Sequence, residues 1–215
     1  MIPDDLDRED AAGELTAIEF LSPGRFPVKN PSATAAVRHS AQPTLLDQPA
    51  PFVLNRSDGV QRFDTADQAR PHLLAMLAQA RRCLSLYSPD FEPWLYNHSS
   101  VEQACLDFLR KHPRNRLRIL LNDPSRAVRQ GHRLLELARK LSSNMHIRKC
   151  HPEYPQLSGA FLLVDSCAMI LRPKPDRSTG EALYREPVRA RQLQRQFDLA
   201  WEHSLSDSDL RSFLL

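Results

Sequence analysis

From Val60 onward, short apolar runs suited to strands alternate with longer segments whose apolar residues recur every three or four positions. Val60–Asp64 alternates in the manner of a strand. Leu73, Leu74, Leu77 and Ala80 mark one face of a helix expected over residues 65–82, with Pro71 expected to disturb its first turn. Cys83–Ser88 predicts a strand, and Ser99-Ser100-Val101-Glu102 fits a capping box opening a helix faced by Val101, Cys105, Phe108 and Leu109. Leu117–Leu121 predicts a strand buried on both faces. A helix over 128–141 follows, burdened early by Gly131, and then a strand over Met145–Cys150. Ala160–Val164, the Asp165-Ser166 turn and Ala168–Leu171 predict a hairpin. Residues 173–184 read as a polar, basic loop, and Pro187 opens a last helix to about Ser204. Alternation of this kind predicts an α/β domain, a mixed, mainly parallel sheet with helices on both faces.

The segment before it has a different composition. Residues 1–58 hold seven of the 17 prolines, nine acids and five bases, a formal charge of −4. With net charge +3, residues 59–215 then carry +7. An acidic, proline-rich stretch buries too little apolar surface to offset the entropy of ordering it, so 1–58 is expected to be a disordered arm and 59–215 the folded domain. Cys83, Cys105, Cys150 and Cys167 lack the spacing of a zinc site or disulfide framework, and no metal or other cofactor is expected. No apolar run approaches a membrane span, and the acidic start MIPDDLDRED is unlike a signal peptide, so a cytoplasmic location is expected.

Ser158-Gly159-Ala160-Phe161-Leu162-Leu163-Val164-Asp165, with its hairpin and closing helix, resembles the phospholipase D family over residues 60–204, one half of the usual two-motif enzyme. That family carries His, any residue, Lys, four residues, Asp on a strand. His and Lys two apart share a face, where His attacks phosphorus and Lys neutralises the phosphoryl oxygens. Here Ser158 stands in place of the His and Ala160 in place of the Lys, so the resemblance implies the scaffold without the reaction. Asp165 is expected to serve the hairpin turn. Arg118–Pro124, Leu134-Leu135-Glu136-Leu137 and Phe197…Trp201-Glu202 are also similar to a domain appended to some bacterial GNAT-type acetyltransferases. The implied role is a non-catalytic binding or regulatory module of bacterial type, acting on a protein partner or an anionic ligand. Residual phosphodiesterase activity is an alternative.

Two groups of residues are candidates for binding. Loops after strands host ligands in open α/β sheets, which selects Asp90, Asp123, Arg126 and His132 for a shared cleft. The late basic residues Arg172, Lys174, Arg185 and Arg189, with Arg177, Arg191 and Arg195, would suit nucleic acid or another polyanion held weakly and with strong salt dependence. Single-motif relatives pair their halves, so a homodimer is also an expectation.

Overall fold

The computed structural model describes residues 48–153, 157–206 and 210. The expectation for residues 1–47 lies outside them, as does that for most of the segment after Ser206. The described chain runs β1 (Val60–Phe63), α1 (Ala66–Gln79), β2 (Cys83–Ser88), α2 (Pro93–Tyr96), α3 (Ser99–Lys111), β3 (Arg116–Leu121), α4 (Ser125–Gln130), α5 (Arg133–Lys140), β4 (Met145–Lys149), β5 (Ala160–Val164), β6 (Ala168–Arg172), β7 (Gly180–Leu183) and α6 (Pro187–Glu202).

These strands form one mixed sheet in the order β1-β7-β6-β5-β2-β3-β4. The mixed α/β architecture agrees with the sequence, but the balance of pairings does not. Only β2–β3 and β3–β4 are parallel. The other four pairings are antiparallel, because β5, β6 and β7 form a meander and β1 adds to its edge. The strand β7 lies where a loop is expected. Gly180 opens it where an added Cβ would stand 2.4 Å from the Phe63 ring and 2.6 Å from the Leu171 carbonyl oxygen, so only glycine fits between these neighbours.

The helices cover both faces. On one, Leu84, Leu86, Leu117, Ile119, Leu162, Val164 and Ile170 pack against α1, α3 and α5. On the other, Tyr87, Leu120, Phe161, Leu163 and Met169 pack against Ala190, Phe197 and Ala200 of α6. Alternation along each strand divides the side chains between the two cores. Arg118 fastens α6 to the sheet, stacking on Phe197 and Trp201 while its guanidinium pairs with Asp198 at 2.7 Å.

Local chemistry sets several helix ends. Thr65 caps α1 by accepting from the Gln68 amide, and the helix runs through Pro71, which forgoes a single bond early in the helix. The capping box is not formed. Ser99 is already helical and His98 takes the cap position, while Glu102 pairs instead with Arg133 at 3.2 Å. The helix expected over 128–141 is two helices, because Gly131 adopts φ +73° and turns the chain between them. The packed chain also starts ahead of residue 59. The Ala50 amide donates to the Pro71 carbonyl, Phe52 packs on His72 and Tyr184, and the Asn55 amide donates to the Tyr184 carbonyl.

Candidate functional site

The carboxyl ends of β2 and β3 and the amino end of β5 meet at one edge of the sheet, since Tyr87 lies opposite both Leu120 and Phe161. The Asp123 amide donates to the Pro89 carbonyl and joins the two loops there. Ser158 is exposed at this edge, while Ala160 is buried and faces the same side as Leu162 and Val164. Gly159 between them has φ +72°, and an added Cβ would lie 2.5 Å from the Arg172 carbonyl oxygen.

Arg172 is the Cα partner of Ala160, so the two side chains share a face. Its guanidinium is buried, forms an ion pair with the buried Glu92 carboxylate, and lies 4.4 Å above the Trp94 ring. It also donates to the Pro175 and Arg177 carbonyls, which draws the loop after β6 inward. Burial pushes the Arg172 guanidinium down to about 10, against the opposing pull of Asp90 and Asp176, so it stays charged at neutral pH. A charge in this position needs its partner, because an unpaired buried ion is costly.

Glu92 reaches the pair through an unusual turn. Phe91 and Glu92 both have left-handed backbones, φ +71° and +41°, where residues other than glycine are strained. The Phe91 amide donates to Ser88 Oγ at 3.1 Å and the Glu92 amide to Asp90 Oδ1 at 3.0 Å, holding the conformation. Pro93 then opens α2. The turn sends Phe91 onto His132 and Glu92 to Arg172.

Of the four cleft candidates, the structure joins Asp90 and Arg126, 3.3 Å apart and about half exposed. Arg126 also bonds Gln130. Asp123 accepts from the Ser125 amide at 2.9 Å in its own turn, and the Ser125 side chain and amide hold its carboxyl below the usual range. His132 is 1% exposed. Its Nδ1 accepts from the Leu134 amide to cap α5, and its ring stacks on Phe91 at 4.0 Å. Desolvation pushes it down to about 4, so it is a neutral cap inside the protein and offers no surface to a ligand.

The late basic residues divide similarly. Arg172 lies inside and is already paired, which removes it from a polyanion-binding surface. Arg185 reaches Asp58 at 3.4 Å, whereas Lys174 and Arg189 are exposed. Asp165 has a larger task than the hairpin turn. Its carboxylate accepts from the amides of Arg81 at 2.7 Å, Arg82 at 2.8 Å and Cys83 at 2.9 Å, so it ties the hairpin to the turn between α1 and β2.

The residues that the sequence reading missed are Glu92 and Trp94. Their signal was a single acid within the apolar stretch Phe91-Glu92-Pro93-Trp94-Leu95-Tyr96, where burial implies a cationic partner.

An open mixed sheet layered with helices in this order is the phospholipase D-like fold. The structure of Nuc, a phospholipase D family member from Salmonella typhimurium, superposes with a TM-score of 0.50 at 12% identity, covering 68% of this chain and 96% of that one. The archaeal chromatin protein TrmBL2, described as showing a novel mode of DNA binding, gives 0.50 at 11% identity over 68% of this chain. This chain matches 53% of TrmBL2's length. A search of curated proteins finds no significant match. Residues 65–213 match the model of a family described as a domain of unknown function (DUF7931), and the chain belongs to that family.

Proposed function

We propose that this protein is a non-catalytic binding or regulatory module on a phospholipase D-like scaffold. One observation carries the reading. At the edge where β5 opens, Ser158 and Ala160 supply neither an imidazole nor an ammonium, and the neighbouring cation, Arg172, is already neutralised by Glu92 beneath Trp94. Phosphoryl transfer needs a nucleophile and uncommitted positive charge at the reacting oxygens. Among the described residues, no hydrogen bond joins the Ser158 hydroxyl to a base. Arg172 also holds the loop after β6 through the Pro175 and Arg177 carbonyls, which favours a fixed surface here.

Turnover of bis(4-nitrophenyl) phosphate and of a fluorescent oligonucleotide provides the test. The expected rate equals that of buffer; hydrolysis abolished by Ser158→Ala would establish the alternative, a residual phosphodiesterase. A polyanionic partner is the reading of the ligand that charge favours, since residues 59–215 carry +7. The DNA-binding role named for TrmBL2 is consistent with this, at the level of a shared fold.

A further inference from the structure

A second concave surface lies at the opposite end of the sheet from Ser158, around Asp165. It is a groove of about 1000 Å³ bounded by the incoming chain at residues 53–56, the end of α1, the end of α3 and the β5–β6 turn. Its charged lining consists of Arg56, Arg81, Arg82 and Lys111 against Asp165, a formal 4 − 1 = +3, with His112 beside them. The one carboxylate is spent on the backbone amides of Arg81, Arg82 and Cys83. The cations are differently placed. Lys111 donates to the Ala78 carbonyl at 2.6 Å, which serves the carboxyl end of α1. The guanidinium groups of Arg56, Arg81 and Arg82 have no hydrogen-bond or ion-pair partner among the described residues. Three exposed arginines along one groove, uncommitted to other protein groups, suit anionic oxygens presented in series.

We infer that this groove binds the sugar–phosphate backbone of duplex nucleic acid. The inference deepens the binding-module reading, and rests on it, by naming the ligand. Duplex is favoured over single strand because no Phe, Tyr or Trp lines the groove, so unpaired bases would find no extended stacking platform beyond the His112 ring. Contact with phosphates alone makes the binding independent of sequence and steeply dependent on salt.

The test uses the full chain, a 24-base-pair duplex labelled with fluorescein, and fluorescence anisotropy between 50 and 200 mM KCl. Three phosphate contacts give a slope of log affinity against log salt of about −2.7, a fall of about 40-fold over that range. The variant Arg56→Gln/Arg81→Gln/Arg82→Gln is expected to lose at least tenfold in affinity at 50 mM and most of that slope, with its melting temperature kept. Arg189→Gln/Arg191→Gln/Arg195→Gln on α6 is expected to bind as the parent does. Inorganic polyphosphate should compete, and the matching single strand should bind more weakly than the duplex. Absence of duplex binding at 50 mM, unchanged binding by the groove variant, or loss confined to the α6 variant would each overturn the proposal. A gel of the same incubations separates the two readings. Cleaved duplex defeats the non-catalytic reading, while intact duplex with binding indifferent to the groove variant defeats only the groove.

Discussion

Replacing His132 by Asn isolates one buried titration. Asn can accept from the Leu134 amide as a helix cap, but it has no proton to gain in this pH range. In the folded protein, burial holds the imidazole at about 4, against 6.5 when it is exposed. The neutral ring therefore contributes stability that is fully present above pH 6.5 and is lost as pH falls towards 4, where the unfolded chain takes up the proton and the folded one does not. Holding the imidazole at about 4 in place of 6.5 corresponds to about 3 kcal/mol. Urea unfolding of parent and His132→Asn at half-unit steps from pH 7.5 to 4.5 measures it, since every other group cancels in the difference. The parent should lose about 1.4 kcal/mol per unit relative to the variant below pH 6.5. A flat difference would refute a buried neutral cap and would return His132 to the surface cleft.

Three further expectations follow from side chains with defined partners. Asp165→Asn tolerates the left-handed backbone but loses the charge that serves three amides, so urea denaturation should report a loss of about 1–2 kcal/mol, and Asp165→Ala more. Arg172→Met alone should cost about 3–5 kcal/mol by stranding the Glu92 carboxylate; adding Glu92→Met should recover most of it in a double-mutant cycle. Gly159→Ala should lower stability by at least about 2 kcal/mol in the same assay, from its positive φ together with contact on the Arg172 carbonyl.

Much of the sheet was legible because strand and helix periods differ. The two-faced burial of Leu117–Leu121 and the apolar run Ala160–Val164 identify central strands without any tertiary information. The sequence is silent on direction. Parallel alternation predicts itself onward from β2 to β4, but whether β5 enters beside β2 or beyond β4 depends on long-range packing, and the meander made most pairings antiparallel. The strand β7 escaped because four residues flanked by polar ones carry too short an alternation, and its glycine is a packing requirement set by Phe63. Ser158 and Ala160, on which the proposed loss of chemistry rests, were readable directly. The buried Arg172–Glu92 pair was not, because an arginine in a basic stretch looks solvated until the neighbouring strand is known. His132 misled for the opposite reason: adjacent to Arg133 it reads as part of a basic helix start, yet the Gly131 turn carries it under Phe91. Among the described residues no helix is long and apolar enough to cross a membrane.

The central claim is that the scaffold has kept its layout and lost its nucleophile. A pre-steady-state measurement reaches this most directly. Mixing the protein at high concentration with bis(4-nitrophenyl) phosphate and recording nitrophenolate release, with intact-mass analysis of the quenched protein, counts reactive sites independently of later steps. No burst and an unmodified mass are predicted. A burst approaching one equivalent per chain, with a phosphoryl adduct that Ser158→Ala removes, would contradict the account.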